Sequence, residues 1–119
     1  MARNRWHRLE EGGAVTVTRA LPVRFDLEAK VRLAAPDRVS RTALAHQVRQ
    51  DLWRLLQDTR GLSPAVQVRR DGPELEIIAG GRLAHGRVTA HDRRRAQALL
   101  DDPERRARWL AHAGRRADV

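Results

Sequence analysis

Residues 15–33 read VTVTRALPVRFDLEAKVRL. Val15, Val17, Leu21, Val23, Phe25, Leu27, Ala29, Val31 and Leu33 occupy the odd positions, and Thr16, Thr18, Arg24, Asp26, Glu28, Lys30 and Arg32 fall between them. Arg19 is the one polar residue on the odd register. Alternation with a period of two predicts β structure with one buried and one wet face. A single strand of this length would span roughly 65 Å, more than the width of a domain this size. The run must therefore break, and Pro22 is the residue least suited to a central strand. The expectation is a short edge strand at 14–20 and a main strand at 22–34.

Downstream, Ala35-Pro36-Asp37 ends the strand, and Asp37 or Ser40 is placed to cap a helix through a side-chain oxygen. Leu44, Val48, Leu52, Leu55 and Leu56 form a helical stripe. Gly61, followed by Leu62 and Pro64, is the expected stop. A hairpin follows around Asp71-Gly72. Because Pro73 lacks the N–H that would pair with Arg70, the predicted loop is Arg70 to Pro73. That register sets Val68 against Leu75, Val66 against Ile77, Arg69 against Glu74 and Gln67 against Glu76. Gly80-Gly81 reads as a further turn into a weaker strand at 82–88.

The C-terminal part reads as helical. Asp92 is a candidate cap for a helix carrying Ala96, Leu99 and Leu100. Asp102-Pro103 has the pattern of a cap and first residue for a second helix carrying Trp109 and Leu110, with Gly114 as its end. The predicted fold is α+β: a two-layer sandwich with an antiparallel sheet of 3–4 strands, order β-α-β-β-(β)-α-α, and helices packed on one face. Residues 1–13 read as a basic arm set off by Gly12-Gly13, residues 14–114 as one domain, and residues 115–119 as a frayed basic tail.

The chain of 119 residues carries 24 Lys+Arg against 15 Asp+Glu, a formal charge of +9. Lys30 is its one lysine. A GC-rich coding bias accounts for arginine over lysine, but not for the excess of positive over negative charge, which points to an anionic partner. The absence of cysteine excludes disulfides, thiolate metal sites and a cysteine nucleophile. No apolar run is long enough to span a membrane and no secretory leader is evident; the expected location is cytoplasmic.

Enzyme chemistry finds little support, and no catalytic, metal or cofactor residues are assigned. His7, His46, His85, His91 and His112 show no ligand spacing. His91-Asp92 reads more simply as an exposed histidine beside a capping aspartate. Ser40 and Ser63 sit at helix ends, where capping explains them. The stretch from Gly80 to Arg87 lacks the GK[ST] of a phosphate-binding loop. A sheet that stacks bases would need exposed aromatics, whereas the wet face here carries charges of both signs.

Two functions are weighed. The preferred one is a non-enzymatic, nucleic-acid-associated module gripping RNA or DNA backbone through Arg93, Arg94, Arg95, Arg105, Arg106 and Arg108, in a salt-dependent way. The alternative is a structural or adaptor subunit of a larger protein assembly, docking through Trp6, Trp53, Arg49 and an open sheet edge. Tryptophan beside arginine has the composition of an interface hot spot. An unpaired edge near Thr16 or Arg87 would also permit a homodimer.

Overall fold

A computed structural model describes residues 5–36 and 38–117. It is an α+β fold: one five-stranded antiparallel sheet with three helices packed on it. The strands are β1 (His7–Glu11), β2 (Ala14–Thr18), β3 (Leu27–Ala34), β4 (Leu62–Asp71) and β5 (Glu74–Leu83). The helices are α1 (Arg41–Leu56), α2 (Ala90–Asp101) and α3 (Pro103–Ala117). The strand order is β1-β2-β4-β5-β3.

The alternating run does break at Pro22, and more widely than expected. β2 stops at Thr18 and β3 begins at Leu27. The intervening segment crosses from one side of the sheet to the other, because β2 and β3 are separated by β4 and β5. Its odd residues therefore leave the core: Leu21 is exposed, and Val23 and Phe25 are half-buried. Asp26 anchors the end of the crossing by accepting from the Leu83 N–H at 2.8 Å and pairing with Arg24 at 2.9 Å. These two contacts hold its carboxyl below the usual range, the Arg24 bond contributing most.

Residues 7–11 of the predicted arm form a strand. Gly12 and Gly13, both at positive φ, turn the chain back so that β1 pairs along the whole of β2, from His7↔Thr18 to Glu11↔Ala14. The 14–20 segment is consequently an interior strand, and Thr16 is no sheet edge. The free edges belong to β1 and β3. At β3, the Gln97 amide of α2 bonds both the N–H and the C=O of Lys30, closing that edge locally.

The β4–β5 hairpin closes two residues tighter than predicted. Asp71 faces Glu74, Arg69 faces Glu76 and Val68 faces Ile77. Gly72-Pro73 is the turn, and Gly72 at φ 61 supplies the positive φ wanted at the first central position. The flanking pair is Asp71 and Glu74, so the N–H missing from Pro73 is not required. A two-residue slip along β5 leaves every side chain on its own face, which is why the core assignments survive. No separate strand occupies 82–88, and Arg87 is not at a sheet edge. β5 runs through Gly80 and Gly81 because neighbouring backbones leave no space there: a Cβ would lie 1.8 Å from the Leu27 carbonyl oxygen at Gly80 and 2.1 Å from that of Ser63 at Gly81.

Ser40 caps α1 by accepting from the Ala43 N–H, as expected of it. Asp37 lies outside the described residues. α1 ends at Leu56, with Gln57 as its C-cap, ahead of Gly61. Thr89, not Asp92, caps α2 through the Asp92 N–H. Asp102 caps α3 by accepting from the Glu104 N–H at 3.0 Å, and α3 passes through Gly114 to Ala117 rather than ending there. The core joins Val17, Leu27, Ala29 and Leu33 of the alternating run to Leu44, Val48, Leu52, Val66 and Ile77, with Leu99, Leu100 and Trp109 from the C-terminal helices.

Candidate nucleic-acid interface

α1 carries a second stripe beside its core stripe. Thr42, His46, Arg49 and Trp53 are spaced four, three and four residues apart, so they share one flank of the helix. That flank lies against β1. The Arg8 guanidinium donates to the Thr42 hydroxyl at 2.8 Å, and Arg41 pairs with Glu10 at 3.6 Å. Trp6, which enters β1, shares the parity of Arg8 and faces the helix. It is half-buried and packs against the core.

The charged groups along this seam are interleaved with the indoles. Arg49 lies over the Trp6 ring at 4.7 Å from its centroid. Arg19 lies over both Trp6 at 5.3 Å and Trp53 at 5.6 Å. Such contacts contribute about 0.5–1 kcal/mol each where solvent reaches them. The odd-register exception in the alternating run thus has a reason: past the end of β2, Arg19 turns toward the tryptophans instead of the core.

Arg49 has no carboxylate partner among the described residues. Its Nε donates to His46 Nδ1 at 3.1 Å. Partial burial, reinforced by the Arg19 charge, holds its pKa below the usual arginine value. His46, half-buried, is likewise pushed below the usual histidine value, first by burial and then by Arg49 and Arg8. The lowered pKa favours the neutral imidazole, whose Nδ1 accepts from Arg49. Several guanidinium groups are thus gathered along the seam, and Arg49 among them has an imidazole in place of a carboxylate, a condition that favours an incoming anion there.

Trp53 is 40% exposed, and its ring borders a depression of about 210 Å³ formed with Arg19, Leu62, Ser63 and Pro64. On the other side, His46 and Arg49 line a shallow hollow of about 610 Å³ with Gln47, Gln50 and His112. The three residues singled out as a docking set, Trp6, Trp53 and Arg49, are thus brought together. Arg8, Arg19 and His46 join them. The stripe at 42, 46, 49 and 53 was visible in the sequence; its facing strand was not.

The C-terminal arginines are placed differently. Arg95 donates to the Leu55 carbonyl and pairs with Asp58 at 3.4 Å and Asp92 at 3.5 Å. Arg105 pairs with Asp102 at 2.9 Å, and Arg106 bonds both Asp101 and the Leu100 carbonyl. Arg108 pairs at 2.5 Å with Asp51. Arg93 and Arg94 are exposed and make no ion pair among the described residues. Asp51, on α1, is only 8% exposed, and it also accepts from the Trp109 indole N–H at 2.8 Å. A charged group that close to the core needs such partners, and it pins α3 onto α1.

His85 lies against Gly61, near enough that a Cβ there would sit 3.0 Å from its Nε2. Among the described residues no group of three metal-ligating side chains converges, and no helix is long and apolar enough to cross a membrane.

Comparison with known proteins is silent. No family model, curated protein or solved structure matches this chain.

Proposed function

We propose that this protein is a small non-enzymatic module that binds single-stranded nucleic acid along the β1–α1 seam. In this reading Trp53 offers its exposed face to a base, while Arg49 and Arg19 receive the flanking phosphates. The observation that carries it is the interleaving of Arg49 and Arg19 with Trp6 and Trp53, with no carboxylate on Arg49. Alternating indole and guanidinium groups suit a strand whose bases and phosphates alternate. Exposed Arg93 and Arg94, with the overall charge of +9, would add long-range attraction. Arg95, Arg105, Arg106 and Arg108 are committed to carboxylates and carbonyls, so the reading shifts the grip from the C-terminal helices to the seam.

The test is titration of a fluorescently labelled single-stranded oligonucleotide over a range of salt concentrations. Saturable binding that weakens with salt and is lost in Trp53→Ala is the expected result. Equal binding by wild type and Trp53→Ala overturns the assignment to the seam. The adaptor reading draws on the uncovered edge of β1, which adjoins the same tryptophans. A stoichiometric protein released by Trp53→Ala, without bound nucleic acid, would establish it instead.

A further inference from the structure

The sheet face opposite the helices is not uniformly flat. The 19–26 crossing carries Leu21, Pro22 and Val23 over it, and a cavity of about 360 Å³ lies between this segment and the strands β1, β2 and β4. At about 30 Å³ per water-sized group, that is room for about a dozen heavy atoms. Its volume falls within the range of small-molecule sites.

Three large apolar side chains are exposed among the described residues, and two of them, Leu9 at 41% and Leu21 at 48%, line this cavity. Apolar surface left uncovered in one concave place marks a ligand or a partner. A hollow of this volume suits a small convex occupant.

The polar groups specify that occupant further. Thr16, only 6% exposed, lies on the cavity floor. Its Oγ accepts from Gln67 Nε2 at 3.1 Å, and its own proton has no acceptor among the described residues. Arg69 is the diagonal neighbour of Thr16 in the β2–β4 register. It pairs with no carboxylate among the described residues, because Glu76 opposite it is taken by Arg32, and it makes one long 3.5 Å bond to the Gly12 carbonyl. A buried hydroxyl donor and an exposed guanidinium side by side form a place for a carboxylate. Glu11 stands on the opposite rim, in the same cross-strand row as Ala14 and Arg69. Two strand spacings separate Glu11 from Arg69, roughly 10 Å between backbones.

From this arrangement we infer that the outer face of the sheet binds a small monocarboxylic acid with an aliphatic body. The carboxylate sits between Arg69 and the Thr16 hydroxyl, and the chain lies between Leu9 and Leu21. Glu11 bars a second carboxylate at the far end, so a dicarboxylate of equal length is rejected. This site is independent of the β1–α1 seam, which lies on the helix side of the sheet.

Octanoate, octanol and octanedioate serve as probes of the purified chain, read by amide chemical shifts and calorimetry. The expected result is octanoate binding that moves the amides of Thr16 and Gln67. Octanol should bind about tenfold more weakly or worse, for want of one charge-assisted contact, and octanedioate should not bind. Arg69→Gln should weaken octanoate by a similar factor, Leu21→Ser should weaken all binding, and Glu11→Gln should admit octanedioate. Both Arg69 and Leu21 are exposed, so thermal melts of these variants should match wild type. Absence of octanoate binding overturns the inference. So does equal binding of octanoate and octanol, or octanoate affinity unchanged in Arg69→Gln.

Discussion

The β1–α1 seam and the α1–α3 junction are both built from arginine and tryptophan on opposite flanks of one helix, yet they differ in every respect that governs function. At the junction, Arg108 and the Trp109 indole converge on one nearly buried carboxylate, Asp51. Trp109 is fully buried and all its polar capacity is used. At the seam, Trp53 remains exposed and Arg49 has an imidazole for a partner instead of an acid. The same two residue types make a structural pin in one place and, in the other, a cationic surface on which Arg49 has no carboxylate partner among the described residues. What separates them is a single aspartate and the depth at which it sits.

Removing that aspartate is the strongest way to break the contrast. Asp51→Ala leaves the Trp109 N–H without its acceptor in the core and deprives Arg108 of its partner. The expected loss is about 1–3 kcal/mol of stability, the cost of a buried donor left unpaired, read as a lowered denaturant midpoint. Asp51→Asn, which keeps an acceptor, should lose clearly less.

At the seam the larger effect belongs to binding. Trp53→Ala should cost about 1–3 kcal/mol of single-stranded nucleic-acid affinity, the worth of one base stack, with little change in melting. Arg49→Ala should weaken binding and reduce the slope of log affinity against log salt by about 1. Arg105→Ala, by contrast, should leave that slope unchanged.

Acidity offers a third handle, through His46. Its pKa is lower in the folded chain than in the unfolded one, so the unfolded chain takes up the proton first as the pH falls. Stability is therefore complete above about 6.5 and declines below it through the folded-state value. His46→Gln, which retains an acceptor for Arg49, should flatten that part of the pH–stability curve. The smallest effect is expected at Arg105, whose pair with Asp102 is half-exposed. Arg105→Ala should change stability by about 1 kcal/mol or less.

Local patterns carried much of this fold into view. Alternation in β2 and β3, the leucine stripe of α1 and the Asp102-Pro103 start of α3 each depend on residues a few positions apart. Their period or capping chemistry can be read without knowing the rest of the chain. The hairpin register slipped because two loop choices differ by two residues and satisfy the same faces, and the location of Pro73 in the turn had to separate them. β1 escaped notice because HRLEE has too little apolar surface to signal a strand. It pairs as an edge, held by β2 and by Arg8 and Glu10 reaching α1.

For the site, the sequence marked Trp6, Arg49 and Trp53 as unusual and left Arg19 as an unexplained exception. It also grouped the C-terminal arginines by their proximity along the chain, which does not show that Arg95 and Arg108 meet the distant Asp58 and Asp51 while Arg93 and Arg94 make no ion pair among the described residues.

By itself the sequence determined the composition of the two layers, the faces of the strands and the excess of positive charge. Those follow from periodicity and from counting, which need no knowledge of distant contacts. Only the tertiary structure decided which arginines stand beside carboxylates and which, like Arg49, do not. Whether a guanidinium is neutralised depends on a carboxylate within a few ångströms. At the seam, residues 6, 19, 49 and 53 meet because the chain folds β1 against β2 and lays α1 alongside.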